Sequence, residues 1–507
     1  MDRNDVLIIG AGPSGLFAAA ELARHGVRAR IIEKDLQPHR EARATAIQPG
    51  TLEILESVGL LSAFLAVSER VRCSRLYGPG MTELAAMSHD GIDCACEFQC
   101  SLPQYETQRI LEDHLVSLGG TVERGVTATD VQIEGDDVTV ELEHADGKQE
   151  TVRPAFVIGA GGAHSITRHS TSEPLEGTTY RGQFLVADIA MPSPLPRDEA
   201  GVVCSANGLL LLAPLPGGRW ISFQDLEEDV KSVTAEEVFS RVAARLDGKF
   251  RPTNVAWFAP FRMHRRIVSR LAHGRRYLIG DAAHLSSPFG GEGLNAGLHD
   301  GHNLAWKLAL MLSGQATQAL GEGYAVERRI ADHHVLEVSD QVHHSICEAA
   351  AAARQKRKIH ATAVDPITAA LVRNSRAMID VDYAGSPLVV DHGSGCADTS
   401  GPRPGKWYPD RNRFKETSHQ ILVFGEIDDS QAMTQIGRRW SELVKISHNP
   451  PVDPQRAGLP TGGMMMFRPD GHIGFRFPAA TADGFSALDH HLSSYLVPQS
   501  ANDSTAA

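Results

Sequence analysis

The sequence predicts an α/β fold in three parts. A parallel-sheet core starts at the N-terminus and resumes after residue 270, an antiparallel sheet is inserted into it, and a small mixed unit closes the chain. Three observations predict this. The apolar run Val6 to Ile9 leads into glycines at 10, 12 and 15. The strand-like Arg276 to Ile279 leads into Gly280-Asp281 and then a long helical pattern, which repeats the strand–turn–helix order. Between them, from about Tyr180, the apolar pattern changes to short strands with turn signals, the texture of an antiparallel sheet.

Taken in order, Val6 to Ile9 is wholly apolar, as suits a strand buried on both faces. Gly10 permits a tight turn, Gly12 lets backbone approach a pyrophosphate, and Gly15 lets the helix pack on the strand. Pro13 and Ser14 fill the turn, and the helix over Leu16 to His25 offers its N-terminal N–H groups to phosphates. Gly26 ends that helix. Arg28 to Ile32 is a second strand, closed by Glu33 and Lys34, where an acid can accept both hydroxyls of an adenosine ribose. The order is that of a Rossmann-type dinucleotide domain. Thr51 to Leu65 has helical spacing, and Gln108 to Leu118 is a helix closed by Gly119-Gly120. Val122 to Arg124, Val126 to Ile133 and Val138 to His144 alternate like meander strands, and Phe156 to Ile158 is a further buried strand. Gln183 to Ala190, Gly208 to Ala213 and Arg219 to Gln224 are strands, the last two joined through Pro216-Gly217-Gly218. Asn295 to Leu312 is a long helix and Glu327 to Lys358 a charged one. Beyond the punctuated linker at 401–405 come a strand over Gln420 to Gly425 and a helix over Ser430 to Val444. A hairpin about Pro469-Asp470-Gly471 and a helix over Phe485 to Tyr495 follow. This is the outline of a thioredoxin-like unit, without a C-x-x-C. The divisions fall at 1–175, 176–270, 271–392 and 393–507.

At 507 residues about three domains are expected. Apolar content of 42% and charged content of 22% describe an ordinary globular chain. With 49 Lys and Arg against 62 Asp and Glu, the net charge of −13 argues against nucleic acid or an anionic membrane as partner. No apolar run reaches a membrane span, no signal segment is recognised, and seven cysteines fit a reducing cytoplasm. Cys94, Cys96 and Cys100 lack a matching second half, so no metal is expected there. The His pairs at 333–334, 343–344 and 490–491 read as exposed helix faces.

The run Gly280-Asp281-Ala282-Ala283-His284, with Pro288, Gly290-Gly291-Glu292-Gly293 and Asn295, resembles the long flavin-contacting motif of the class A flavin-dependent aromatic hydroxylases. Those are the para-hydroxybenzoate-hydroxylase-like monooxygenases. Arg468-Pro469-Asp470-Gly471 resembles the closing signature of their bacterial branch with a thioredoxin-like C-terminal domain, which includes polyketide-tailoring and phenol hydroxylases. The resemblance implies a glutathione-reductase-like FAD domain with an inserted β-sheet substrate domain. It implies that Asp281 bonds the ribityl chain, that Pro288 sits at the flavin ring, and that backbone N–H groups from Gly291 through Gly293 and Leu294 to Asn295 face its N1/O2 edge. Arg43 resembles the arginine over the FAD pyrophosphate. Gln48 and Gln104 match further flavin positions. Pro288 and Arg43 are the residues placed nearest the chemistry.

The chemistry implied is hydroxylation of a phenolic, polycyclic ring through a C4a-hydroperoxyflavin, with FAD, NAD(P)H and oxygen, in a monomer or homodimer. Substrate candidates on the inserted sheet are Trp220, Phe223, Trp257, Phe258, Phe261 and Arg262. Three positions depart from the pattern. Gly161 replaces an Asp used for FAD and NAD(P)H, Thr45 replaces the catalytic Asp of the phenol hydroxylases proper, and Glu292 replaces a Gln of the flavin loop. Other readings stay open: Baeyer–Villiger oxidation on the same scaffold, an FAD-binding protein with impaired NAD(P)H reactivity, and an NAD-only dehydrogenase. The last does not explain Gly280 to Asn295.

Overall fold

Val6–Ile9 has no exposed face because it is the inner strand of a six-stranded sheet, flanked by Phe156–Gly159 on one side and Ala29–Glu33 on the other. The structure is a computed structural model. It describes residues 6–498 apart from 43, 136, 227–229, 231, 358–372, 394–401, 408–415, 456 and 460. The sheet runs Ala272–His273, Arg276–Leu278, Phe156–Gly159, Val6–Ile9, Ala29–Glu33 and Val122–Arg124. All neighbours are parallel except the first pair, which is a hairpin. Val122–Arg124 therefore extends the parallel sheet instead of opening a meander. The three-stranded meander is Val126–Glu134, Asp137–His144 and Gln149–Val152.

The helical pattern over Thr51 to Leu65 is two helices, Pro49–Ser57 and Leu61–Val67. Gly59 sits at φ 80° and the Leu60 N–H donates to the Leu55 carbonyl, which closes the first helix. Apolar periodicity carried across the break because both helices bury the same side.

The seven-stranded sheet runs Asn254–Phe261, Gln183–Ala190, Arg219–Leu226, Gly208–Leu215, Glu199–Ser205, Cys73–Tyr77 and Glu83–Ser88. Its last two strands lie far ahead of residue 176 in sequence, and Glu199–Ser205 pairs parallel with Cys73–Tyr77. None of those three strands stood out in the sequence. Their side chains mix apolar and small polar residues without a sustained period.

Gly293–Leu312 and the 36-residue Ala319–Arg354 bridge the two sheets. A five-stranded sheet follows: Val390–Asp391, Ile473–Phe477, Gly463–Phe467, His419–Phe424 and Val444–His448. The helix expected over Ser430 to Val444 ends at Arg439. Trp440, 1% exposed, donates its Nε1–H to Asp489, and Val444–His448 pairs parallel with His419–Phe424. Ala482–Ser493 is the last helix.

Candidate cofactor and substrate site

The glycine turn is built by close approach. Gly10 sits at φ 111°, and a Cβ there would fall 2.5 Å from the Ala160 carbonyl oxygen. A Cβ on Gly15 would fall 2.1 Å from the Gly10 carbonyl oxygen. A Cβ on Gly12 would meet nothing within 4 Å, so only this glycine is kept clear for something outside the chain. Pro13 starts the helix Pro13–Arg24 just beyond it. The Glu33 carboxylate accepts from the Ala11 N–H at 2.9 Å and the Asp35 N–H at 3.1 Å, which pins this acid to the glycine turn. Lys34 is exposed. The Ser14 hydroxyl turns away from the cleft: Cβ atoms on Gly280 and Gly297 would lie 2.5 Å and 2.2 Å from its Oγ. Ser14 thus joins the first motif to the second.

Gly280, at φ 57°, donates its N–H to Asp300 Oδ2 at 2.8 Å, and His284 Nε2 lies 2.9 Å from the same oxygen. Asp281 between them is exposed. Arg328 binds Asp300 and Asp332 at 2.7 Å and 2.6 Å. Burial would lower the His284 imidazole, but the Asp332 and Asp300 carboxylates outweigh it and hold it up at about 9. His284, Asp300 and Asp332 form a buried group with the donor set of a metal site, which the sequence spacing did not suggest. The Arg328 guanidinium and the His284 imidazolium together balance the group's two carboxylates.

The loop before Gly293–Leu312 is tied down by one side chain. Asn295 donates to the Ala46 carbonyl at 2.9 Å and the Gly291 carbonyl at 2.6 Å, and accepts from the Gln48 N–H at 2.9 Å. Gln48 Nε2 donates to the Gly290 carbonyl at 3.1 Å, while its Oε1 is buried with no hydrogen-bond partner among the described residues. Gly291, at φ 73°, donates to the Pro288 carbonyl and exposes the turn on which Pro288 stands half-buried. Gly293 and Leu294 form the helix's first turn, also half-buried. Gln104 accepts from the Ala44 N–H at 3.2 Å and so fixes the segment carrying Arg43, which lies outside the described residues. Glu292 is 0% exposed, and both of its carboxyl oxygens lack a hydrogen-bond partner among the described residues. Burial pushes its carboxyl up to about 7, against Arg376, whose Nε lies 4.0 Å away. Thr45 is buried beside these residues, its carbonyl accepting from the Leu102 N–H.

A dinucleotide fits this set: two helix N-termini, a cleared Gly12, an anchored Glu33 and a buried Gln48 Oε1 with no partner among the described residues, the first motif held to the second by Ser14 against Gly280 and Gly297. At Gly161 the chain has φ −76°, and a Cβ would be 3.5 Å from Ser165 Cα, an ordinary contact. Sterics therefore do not demand glycine there.

Against Phe289 and the helix Ala319–Arg354 stands one face of the seven-stranded sheet. Register puts Phe184, Val186, Ile221, Phe223, Trp257, Ala259 and Phe261 on it. Phe289 packs edge-on against Phe184 at 5.6 Å, and Phe223 against Phe261 at 6.1 Å. Trp220 and Phe258 point from the opposite face into the core beneath the helix Ala235–Arg245, so they do not face Phe289. Strand alternation separates 220 from 223 and 258 from 261. Arg262 is exposed beyond the strand end. His343 was missed. It is 5% exposed, stacks on Tyr180 at 3.9 Å, and lies 3.2 Å from Ser287 Oγ, and burial pushes it down to about 4. Its signal was helical spacing with Ile346 and Ala350, which face the same sheet. The 343–344 and 490–491 pairs each place one ring inside and one outside. Only 333–334 is an exposed pair.

Comparisons with known proteins follow the geometry. The FAD binding domain family matches residues 3–339. A 6-methylpretetramide 4-monooxygenase of Streptomyces rimosus is 31% identical over 93% of this chain and 90% of its own length. A rifampicin monooxygenase of Streptomyces venezuelae is 30% identical over 66% of this chain and 70% of its own. In fold, the chain resembles an aklavinone-11 hydroxylase solved with FAD and aklavinone. The TM-score is 0.82 at 23% identity, covering 97% of this chain and 99% of that one. It also resembles the anhydrotetracycline hydroxylase OxyS of S. rimosus, with TM-score 0.79 at 24% identity, covering 98% and 100%. The chain belongs to the FAD binding domain family and is an FAD-dependent aromatic monooxygenase.

Proposed function

We propose that the protein hydroxylates a phenolic, polycyclic polyketide-like substrate, with NAD(P)H as reductant and molecular oxygen as co-substrate. The observation that carries this reading is the broad aromatic sheet face of Phe184, Phe223, Trp257 and Phe261 against Phe289. Such a face suits a flat multi-ring molecule better than a single ring. The near full-length likeness to a 6-methylpretetramide monooxygenase supports the same class. Bound FAD supplies the redox chemistry, accepting a hydride from NAD(P)H and activating oxygen at its C4a position.

The chain's own residues do the rest. Gly10, Gly12 and the helix N-terminus at Pro13 would cradle the pyrophosphate, and Glu33 would hold the ribose; Arg43, the further pyrophosphate candidate, lies outside the described residues. Asp281 holds the ribityl chain, with Gln104 nearby. Gln48 and Asn295 keep the loop from Pro288 to Leu294 in shape, so that its N–H groups meet the N1/O2 edge where negative charge develops. The aromatic face orients the substrate and keeps water out. The C-terminal sheet, with its flanking helices, is a thioredoxin-like unit in a cytoplasmic monomer or homodimer.

The test is NADPH and NADH oxidation by the FAD-loaded protein under air, with a panel of phenols and polycyclic naphthols, tracking hydrogen peroxide. Substrate-stimulated oxidation with little peroxide is the expected outcome. Stimulation by single-ring phenols alone would sink the polycyclic assignment. Gly161 favours a second reading, in which cofactor binds but nicotinamide reduces it poorly. Absence of flavin reduction by either nucleotide with every candidate substrate would move that reading ahead.

A further inference from the structure

A second set of buried charges joins the C-terminal sheet to the two long helices. Arg468, in the hairpin turn of the C-terminal sheet, binds both carboxyl oxygens of Glu327 on the helix Ala319–Arg354, and both side chains are 0% exposed. The next residue of the turn network, Asp470, accepts from Trp306 Nε1 at 3.2 Å and Asn303 Nδ2 at 3.1 Å, both on Gly293–Leu312. The turn therefore grips both long helices at once. The path does not stop there. The Arg468 guanidinium lies over the Tyr383 ring at 5.4 Å, and the Tyr383 hydroxyl accepts from Arg328 Nη1 at 3.0 Å. Arg328 Nε donates to Asp300 Oδ1 at 2.7 Å, and Asp300 Oδ2 takes the Gly280 N–H at 2.8 Å. Gly280 is the residue before Asp281.

We propose that the Arg468–Asp470 turn is a positioning device for the cofactor: through Tyr383, Arg328 and Asp300 it holds the Gly280-Asp281 turn in the shape that receives the FAD ribityl chain. Simple anchorage of a C-terminal unit asks for apolar contact, which the cluster of Trp306, Leu320, Phe475 and Leu492 already supplies. Burying this many charges is costly unless their geometry is fixed, and buried polar networks of this kind specify one arrangement more than they add stability. Each link is a single, directional contact, and the last one ends on a backbone N–H of the cofactor motif.

The proposal rests on FAD binding at the glycine turn and is tested by binding, not turnover. Tyr383→Phe removes one hydroxyl and keeps the ring that stacks on His472 at 4.3 Å. Arg468→Lys keeps the charge and loses the fork. FAD dissociation constants come from flavin fluorescence titration of full-length apoprotein, with the visible spectrum of the bound flavin and the unfolding midpoint of the apoprotein measured beside them. The expected result is a dissociation constant raised about tenfold in Tyr383→Phe, ~1.4 kcal/mol, with a shifted flavin spectrum and an apoprotein midpoint lowered by the loss of one buried acceptor but still a single unfolding transition. Arg468→Lys moves the constant in the same direction. Unchanged FAD affinity and spectrum in Tyr383→Phe would overturn the proposal, leaving the network as an anchor only. Wild-type protein that takes up no FAD would overturn the cofactor reading beneath it as well.

Discussion

Glu292 combines full burial, two carboxyl oxygens without a hydrogen-bond partner among the described residues, and a carboxyl pushed up to about 7. Its pKa is raised by folding, so the native state binds more protons than the unfolded chain between the ordinary 4.5 and about 7. Stability from this group therefore falls as pH rises through that window and stays low above it. Glu292→Gln should remove the dependence. Urea unfolding of apoprotein at pH 5 and pH 8 should show the variant gaining on wild type by up to ~3 kcal/mol at the higher pH. An equal gap at both pH values would contradict it. Gly161→Asp fits the local backbone and restores an acceptor beside Ser165. Stopped-flow reduction by NADPH should speed up by about tenfold if that carboxylate is what nicotinamide handling lacks, and unchanged rates would clear Gly161 of the role. The residues legible in the sequence were those fixed by the chain's own turn geometry, such as Gly10, Gly15 and Glu33. Trp220 and Phe258 were misread because composition names an aromatic strand but alternation decides which face it shows. His343 was missed because its partners, Tyr180 and Ser287, come from distant segments.

At the level of elements, the glycine turn separates folding from binding. Gly15→Ala would drive a Cβ into the Gly10 carbonyl and should prevent strand and helix from packing. Gly12→Ala meets no neighbour and sits at φ −70°. Its apoprotein should unfold within ~0.5 kcal/mol of wild type, while fluorescence titration shows FAD affinity lowered at least about tenfold, because only the cofactor approaches that Cα. Asn295→Ala removes two hydrogen bonds to the segment at 46–48 and one to Gly291 within the loop, a loss of about 2–3 kcal/mol by calorimetry. Strong periodicity made the long helices and the inner strands readable. Gly59 and Trp440 show where it failed: both end helices inside an unbroken apolar pattern, one by a left-handed turn and one by a tertiary hydrogen bond to Asp489.

For the molecule as a whole, the three largest sheets among the described residues share two helices, and the C-terminal one is joined to them by buried charge. Asp470→Ala leaves Arg468 against Glu327 while stripping Trp306 and Asn303 of an acceptor. It should lower stability by about 3–5 kcal/mol in chemical unfolding, as one cooperative transition. Two separate transitions would show that the C-terminal unit folds independently. The three-part order was legible from where periods change, but the membership of the large sheet was not, since Cys73–Tyr77 pairs with Glu199–Ser205, more than a hundred residues later, and carries its own neighbour Glu83–Ser88 into the sheet as the edge strand. The bond from Asn295 back to Gln48 spans 247 residues. On a ribosome adding about 5–20 residues each second, the glycine turn would leave the exit tunnel on the order of 15–60 s before the partner that completes its cleft. Nascent chains should accordingly be unable to capture FAD until Gly293–Leu312 has emerged, so cofactor loading is a late event of synthesis.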